Sequence, residues 1–262
     1  MTANMVVISY WVERSPEHLF RLLRQLYSYK AGVPFSITVV CNGGDVHPLQ
    51  LPPSFMQRGI KVLNRPNTGY NIGAWEYGWR CNQRSDNFLF LQDDCFIIRN
   101  QWFSGFVEKM HQFQKIGLIG ERINPNWERS WEHLKNSEFN TFMKGHRIAD
   151  QPSRRVDLYL DFLAKKGIAI GETADHLQTL ILFTSRSILL QIGGFVLGNN
   201  YGEAIASEIG ISKKVQAAGY RISIVGSQPF YYIGHQEWTE TENRFQRLWN
   251  QLRKQSTNWM TS

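Results

Sequence analysis

The sequence predicts an α/β fold in which a mostly parallel central sheet is flanked by helices. Through the first 120 residues, short apolar runs typical of buried strands alternate with segments whose apolar residues recur every three or four positions. Such alternation is typical of βαβ units with right-handed crossovers. The chain has 262 residues, of which 42% are hydrophobic, and contains no low-complexity tract. It is therefore long enough to bury a full core, and we expect it to be folded throughout.

Five strands are expected in this first half. They are the runs at residues 5–9, 35–45, 60–64, 88–91 and 116–120. After the first strand, Ser15 is expected to cap a helix that has Pro16 at its first position. The apolar stripe of that helix consists of Leu19, Leu22, Leu23 and Leu26. A helix is also expected after the loop "RPNTGYNIG", and another whose stripe consists of Phe103, Phe106, Val107, Met110 and Phe113.

The second half of the chain is less regular. Residues 121 to about 175 are polar and aromatic without a clear period, which predicts either a long functional loop or a small subdomain. Residues 177–195 then predict a buried strand, a short helix and a Gly-Gly stop. A helix ended by Gly219 and two further strands follow. The segment 239–255 predicts an amphipathic helix, which would pack on the domain or lie on an anionic membrane surface.

Charge and cysteine usage narrow the classes of function. The net charge of +7 and the pI of about 9.4 suggest an anionic partner, such as a nucleotide, nucleic acid or an acidic membrane. No nucleic-acid-binding module is recognisable, so nucleic acid is not expected as a partner. The three cysteines form no CxxC pair, and no export signal or membrane-spanning run is recognisable. A cytoplasmic protein is expected, with peripheral contact at an anionic membrane as an option.

Two adjacent acids, Asp93 and Asp94, follow the apolar run 88–91 in the stretch "FLFLQDDCFII". They are expected at the carboxyl end of a buried strand, where ligands bind in open α/β sheets. An unpaired buried carboxylate is strongly disfavoured, so these acids should meet a cation, hydrogen-bond donors or solvent. The alternative is an acid-rich turn that caps the next segment, and the residues alone favour neither.

The order of several motifs resembles that of the GT-A glycosyltransferases, in particular family 2 and its rhamnosyltransferase-like members. The motifs are Asn42 and Asp45 after a strand, "NRPNTGYNIGAW", "LFLQDDC", "IGGF", Glu208 on a helix ending "AAGY", and His235 after a strand. The resemblance covers roughly residues 5–237. It implies transfer of a sugar from a UDP, GDP or dTDP donor to a glycan, lipid-linked or small-molecule acceptor, with inversion and a divalent cation, Mn²⁺ or Mg²⁺.

The resemblance also implies an organisation within a single GT-A domain. Residues 1–120 would form the nucleotide-binding half and residues 121–240 the acceptor-binding half. Residues 241–262 would form the C-terminal amphipathic helix and tail.

Site residues follow from the same resemblance. Asp94 and His235 are the expected metal ligands, and Asp93 is a partner to the ribose or the metal. Gln92 takes the place of the first acid of the usual Asp-x-Asp motif. Donor contacts are expected from Ser9, Tyr10, Asn42, Asp45, Gly69, Asn71 and Gly73, with the Tyr10 ring stacking on the nucleobase and the Asn42 amide bonding to its edge.

The base that takes the proton of the acceptor hydroxyl is expected to be Glu208, with Glu203 as its competitor. Asp175 and His176 are further candidates for contact with the sugar or acceptor. Two alternatives remain open: a noncatalytic GT-A-like protein that binds nucleotide or glycan, and a sugar nucleotidyltransferase. The second usually has a Gly-rich phosphate loop after the first strand, and "SYWVERSPEH" contains no glycine.

Overall fold

The computed structural model of the chain describes residues 3–113, 115–148 and 151–240, without the side chains of 143–151. Its strands are β1 (Asn4–Trp11), β2 (Ser36–Asn42), β3 (Lys61–Arg65), β4 (Asn87–Gln92), β5 (Cys95–Ile97), β6 (Ile116–Gly120), β7 (Phe142–Ile148), β8 (Gln151–Arg154), β9 (Ile181–Ser185), β10 (Arg221–Ile224) and β11 (Ile233–His235). Its helices are α1 (Glu17–Ser28), α2 (Pro53–Met56), α3 (Tyr70–Cys81), α4 (Ser104–Gln112), α5 (Trp131–Lys135), α6 (Arg155–Lys165), α7 (Arg186–Gln191) and α8 (Tyr201–Ala217).

Seven strands form the central sheet in the order β10-β6-β9-β4-β1-β2-β3. All neighbours in it are parallel except β9, which runs antiparallel to both β4 and β6. The predicted α/β fold, with a mostly parallel sheet flanked by helices, is confirmed. The register pairs Ser9 with Gln92 and Trp11 with Asn42. The carboxyl ends of β1, β2, β3 and β4 therefore meet at one edge of the sheet.

Helices cover both faces of this sheet because alternate residues of each buried strand point to opposite sides. On β1, Val6 and Ile8 face a core that contains the four predicted leucines of α1, while Met5 and Val7 face a core that contains Trp75 of α3. A side chain at Gly78 of α3 would lie 2.4 Å from Val7. Glycine at this position lets the helix pack close to the strand.

The region from 121 to about 175 forms a small subdomain rather than a long loop. Trp131 of α5 and Val156, Tyr159 and Phe162 of α6 pack in a third core together with Ile209 of α8. These α6 residues recur at three-residue intervals, a helical pattern that the surrounding polar residues mask in the sequence. Helices α6 and α8 therefore fasten this subdomain to the sheet.

The predicted C-terminal helix at 239–255 lies almost wholly outside the described residues, which end at 240. Within the described part of the chain, none of the helices has the length and apolar character required to cross a membrane.

Candidate active site

The two predicted acids lie in the turn that joins β4 to β5. Strand β11 pairs antiparallel with β5 and aligns His235 with Cys95, so the imidazole reaches the turn. His235 Nε2 lies 2.9 Å from Asp94 Oδ1 and 3.4 Å from Gln92 Oε1. The structure therefore brings His235 to Gln92 and Asp94, from which it is separated by more than 140 positions in the sequence.

The two aspartates have different surroundings. Asp93 is only 5% exposed, and burial, followed by the charge of Asp94, raises the pKa of its carboxyl to about 6. Asp94 is also largely buried, which by itself would raise its pKa. The nearby His235 imidazole and Arg14 guanidinium outweigh this effect and hold the pKa of Asp94 below its ordinary value. Asp94 is therefore a carboxylate at neutral pH, and it faces the Arg14 guanidinium and the His235 imidazole.

The arrangement fits a divalent cation held by few protein groups. Asp94 Oδ1 and His235 Nδ1 are both buried, and neither has a well-aligned hydrogen bond from the described residues. Among those residues, no group of three or more His, Cys, Asp and Glu is placed to hold a metal ion. A hard cation such as Mg²⁺ is commonly bound through one or two carboxylates, with substrate phosphates completing its shell. Asp94 and His235 as metal ligands stay a prediction.

Arg14, in the loop after β1, is a site residue that sequence reasoning missed. Its guanidinium lies 3.8 Å from Asp94 Oδ2 and 5.9 Å from the centroid of the Trp11 ring. The hydroxyl of Tyr10 donates a hydrogen bond of 2.6 Å to the Arg14 carbonyl, which fixes the loop. Arg14, His18 and Asp94 line an open cleft of about 550 Å³. The exposed guanidinium of Arg14 and the carboxylate of Asp94 therefore lie in the same cleft.

The aromatic ring available at the end of β1 is that of Trp11. Tyr10, which was expected to stack on a nucleobase, is only 3% exposed and packs in the core. Its burial does not fit a stacking role. Trp11 is 39% exposed beside the same cleft residue, Arg14. Tyr10 is buried and Trp11 is exposed because successive side chains point to opposite sides of β1.

Asn42 and Arg65 hold the loop that enters α3. Arg65 Nη1 donates to Asn42 Oδ1 at 2.6 Å, and Asn42 Nδ2 donates to the Tyr70 carbonyl at 3.1 Å. Arg65 Nη2 also donates to both oxygens of Thr68 at 2.7 Å. Asn42 is 2% exposed, so its amide is occupied within the protein. Its predicted contact with a base would require these bonds to be exchanged.

The other predicted donor residues line the same edge. Ser9 is buried, and its hydroxyl donates to Asn71 Oδ1 at 2.9 Å. Gly69 has a φ of +71° at the start of α3, and a side chain at Gly73 would lie 2.0 Å from a loop carbonyl. Both glycines are thus required by the backbone. Asp45 is exposed on the turn after β2. The roles of Ser9, Asp45, Gly69, Asn71 and Gly73 in donor binding stay predictions.

Glu208 lies in the middle of α8 and is partly buried. Burial raises the pKa of its carboxyl to about 7, although the backbone and side chain of Thr179 hydrogen-bond to it. The Thr179 carbonyl in turn accepts a 2.9 Å hydrogen bond from Gln92 Nε2. Thr179 therefore connects Glu208 to the β4 turn, and no sequence signal marked this threonine.

Glu203 is the third residue of the same helix, whose N-cap is Asn200. The Asn200 side chain accepts a hydrogen bond from the Glu203 backbone N–H at 3.0 Å, and Glu203 Oε2 accepts one from the Asn199 N–H at 2.7 Å. This reciprocal arrangement is a capping box. The geometry favours Glu208 over Glu203 as the candidate base.

Asp175 and His176 make contacts within the fold. Asp175 accepts hydrogen bonds from Lys213 Nζ at 3.0 Å and from Gln216 at 2.8 Å, both on α8. His176 is 1% exposed, and burial lowers the pKa of its imidazole to about 4. It is therefore neutral, with Nε2 2.9 Å from the Asn124 amide. These contacts fasten the segment before Thr179 to α8.

Comparison with known proteins adds little to this geometry. The sequence matches no known family and none of the curated proteins. Among solved structures, the chain is similar to the crystal structure of S. aureus TarS, with 14% sequence identity and a TM-score of 0.47. The alignment covers 89% of this chain and 36% of that one, so this chain spans about a third of its length. A similarity at this level does not bear on function.

Proposed function

We propose that this chain is an inverting glycosyltransferase that moves a sugar from a nucleotide-diphosphate donor to a hydroxyl of a glycan, lipid-linked or small-molecule acceptor. One observation carries the proposal. A charged carboxylate, Asp94, and a carboxyl with a pKa of about 7, Glu208, lie at one edge of the sheet and are connected through Gln92 and Thr179. Two carboxyl groups with such different surroundings are suited to different roles in one reaction.

Glu208 is the base in this proposal. Its carboxylate takes the proton of the acceptor hydroxyl as that oxygen attacks the anomeric carbon of the donor. The new glycosidic bond forms on the face opposite the diphosphate, and the bond from the anomeric carbon to the diphosphate oxygen breaks. The pKa of about 7 supports this role, because a base works best when its pKa lies near the working pH.

Asp94, His235 and Arg14 serve the leaving diphosphate. Asp94 and His235 would hold a divalent cation, which supplies positive charge to stabilise the negative charge that develops on the departing diphosphate. Arg14 adds a fixed positive charge at the mouth of the same cleft. Gln92 contributes a neutral amide in place of an acid, with its Nε2 group bound to Thr179. The site therefore needs the donor phosphates to complete the ligand set.

The proposal is tested by incubating the purified protein with a panel of UDP-, GDP- and dTDP-sugars and Mn²⁺, and measuring the nucleotide diphosphate released with and without acceptors. Thermal unfolding with UDP, GDP and dTDP, each with and without Mn²⁺, reports binding separately from chemistry. We expect one nucleotide to raise the melting temperature in the presence of Mn²⁺ and its sugar conjugate to be turned over. If no nucleotide stabilises the protein and no donor is consumed, the proposal fails.

A second candidate function is that of a noncatalytic protein that binds a nucleotide or glycan. The observation in its favour is the amide of Gln92, together with the absence of a third acidic or histidine ligand near Asp94 and His235 among the described residues. The same measurements separate the two functions. A noncatalytic binder would be stabilised by a nucleotide but would release no diphosphate from any donor.

A further inference from the structure

Glu121 is a buried carboxylate that lies directly after β6 and is 1% exposed. Its side chain accepts hydrogen bonds from three successive backbone N–H groups just before and at the start of β11. Oε2 accepts from Tyr231 at 2.5 Å, and Oε1 accepts from Tyr232 at 3.0 Å and from Ile233 at 2.8 Å. One carboxylate therefore accepts hydrogen bonds from three successive backbone amides of a single turn.

The backbone of this turn is shaped to receive an anion. Phe230 adopts a φ of +52°, a left-handed conformation that is uncommon for residues other than glycine. Such a conformation persists where the surrounding structure holds it in place. The Phe230 N–H donates to the Glu121 carbonyl at 3.1 Å, so both the backbone and the side chain of Glu121 hold the turn. Successive N–H groups that converge in this way form a nest for negative charge.

Charge near Glu121 agrees with this geometry. The positive charge of Arg99 favours the carboxylate form of Glu121. The Arg99 guanidinium lies 3.9 Å from the centroid of the Tyr231 ring. Burial raises the pKa of Glu121 to about 7, while the three amides and Arg99 favour the carboxylate. Removal of the acceptor would take this partner from three backbone N–H groups, one of them that of the fully buried Ile233, and an unsatisfied buried donor is costly.

The turn leads directly into the strand that carries His235. On its other side, β11 pairs with β5, and the Ile98 N–H donates to the Tyr232 carbonyl at 2.9 Å. Strand β11 is only three residues long, so pairing with β5 alone gives it few constraints. Glu121 supplies the second anchor. His235 is the last residue of β11, and its Nε2 lies 2.9 Å from Asp94 Oδ1.

We propose that Glu121 is a positioning residue for the candidate active site: its carboxylate fixes the turn at residues 230–233 and thereby sets where His235 lies against Asp94. The consequence for ligand binding rests on the proposed function, whereas the positioning of His235 does not.

The positioning is tested by NMR on protein labelled with ¹⁵N-histidine, in the absence of any ligand, with the imidazole signals of His235 assigned from a His235→Gln variant. Glu121→Gln preserves the shape of the side chain but presents an NH₂ group to amides that are themselves donors. We expect the His235 signals to shift or broaden in this variant. Phe88→Leu is the matched control, because Phe88 is fully buried at the opposite end of β4. It should lower the melting temperature while leaving the His235 signals unchanged.

The consequence for binding is tested with Mn²⁺ in the presence of UDP, using the electron paramagnetic resonance signal of free Mn²⁺. Groups that orient a metal ligand typically change metal affinity 10–100-fold when they are mutated, and we expect a loss of about tenfold or more for Glu121→Gln. Wild-type protein that binds no Mn²⁺ would count against the proposed function but not against the positioning role. Unchanged His235 signals in Glu121→Gln would overturn the positioning role itself.

A second variant covers the case in which Glu121→Gln does not fold. Glu121→Asp keeps the negative charge but is one methylene shorter, so it cannot reach all three amides. The same shift of the His235 signals is expected, and their retention at wild-type positions would again overturn the inference.

Discussion

The turn after β4 and the middle of α8 each place one carboxyl group at the same edge of the sheet, but in opposite electrostatic surroundings. Beside Asp94, an imidazole at 2.9 Å and a guanidinium at 3.8 Å keep the pKa of the carboxyl below its ordinary value. Around Glu208, burial raises the pKa to about 7, and the hydrogen bonds from Thr179 only partly oppose it. The first group stays charged near neutral pH, and the second takes up or releases a proton there.

The surroundings of each acid therefore shift its pKa more than its residue type does. Asp94 lies in the turn between β4 and β5, where the Arg14 guanidinium and the His235 imidazole approach its carboxylate. Glu208 lies on α8, whose residues Ala206 and Ile209 are buried in the third core. The pair Asp93 and Asp94 repeats the lesson, because adjacent aspartates have pKa values shifted in opposite directions.

The largest expected effect is the loss of activity when Glu208, the proposed base, is replaced. Glu208→Gln removes the proton acceptor while keeping the shape of the side chain, and we expect kcat to fall by about 10²- to 10⁴-fold. Binding of the nucleotide in the presence of Mn²⁺, measured by thermal unfolding, should be unchanged. Glu203→Gln is the matched control on the same helix, since Glu203 caps the helix and its replacement keeps a side-chain acceptor. A loss of activity in Glu203→Gln with normal activity in Glu208→Gln would reverse the assignment.

A comparable loss of activity is expected when Asp94 is replaced. Asp94→Asn removes the negative charge that would hold a cation, and we expect a decrease of about 10²- to 10³-fold in kcat/KM. Unlike Glu208→Gln, this variant should also lose the stabilisation that nucleotide and Mn²⁺ give together in thermal unfolding. Asp93→Asn provides the contrast, because the buried Asp93 is the weaker acid, and its loss should be smaller. Equal losses for both aspartates would contradict the separation of their roles.

The pH dependence of the reaction tests the difference in pKa between Glu208 and Asp94. A base must be deprotonated, and the pKa of Glu208 is raised to about 7, so kcat/KM should rise with pH up to about 7 and then level off. Below that pKa, each unit of pH should cost about tenfold, since the deprotonated fraction falls by that factor. Asp94 remains ionised over this range because its pKa is lowered. A flat profile between pH 5 and 8, measured at saturating Mn²⁺, would rule out Glu208 as the titrating base.

The same raised pKa values predict how stability depends on pH. Glu208 and Glu121 have pKa values of about 7 in the folded protein, above the ordinary value of 4.5. The folded state therefore binds more protons than the unfolded state between these values, and the free energy of unfolding from these two groups decreases as pH rises through this window. It is largest below about pH 4.5. Replacing either residue with glutamine should flatten the profile.

Much of the fold could be predicted from the sequence because local patterns decide it. The strands of the first half and the leucine stripe of α1 are buried where periodicity placed them. Strand β9 was expected as a buried strand, but its antiparallel direction between β4 and β6 depends on the path of the chain through the subdomain. Periodicity does not encode direction. Helix α6 was missed because its apolar residues are interleaved with charged ones.

From the residue pattern alone, the candidate site was predictable only where an acid follows a buried strand, whereas His235 and Glu208 were expected from the resemblance. That pattern located Asp94, and the same pattern would have located Glu121 after β6. Arg14 and Thr179 carry no comparable signal, because a basic residue or a threonine in a loop is ordinary in sequence. Their importance comes from distances of 3.8 Å to Asp94 and from hydrogen bonds to Glu208, which only the assembled sheet edge creates.

The smallest expected effect concerns Arg14, which distinguishes binding from proton transfer. Its side chain is 56% exposed, so its attraction to a diphosphate is screened by water and salt. Arg14→Ala should weaken nucleotide binding by about tenfold at low ionic strength and by less as salt is added. The chemical step, measured at saturating donor, should change less than it does in Glu208→Gln, because Arg14 contacts Asp94 and Trp11 rather than the proposed base.

Arg14→Lys is the control that separates charge from shape. It keeps the positive charge and should recover most of the affinity if the attraction is purely electrostatic. If instead it behaves like Arg14→Ala, the planar guanidinium and its position over Trp11 are what the diphosphate requires, since lysine lacks the two-pronged donor geometry of arginine. Arg14→Ala with unchanged nucleotide affinity at every salt concentration would show that Arg14 does not contact the diphosphate.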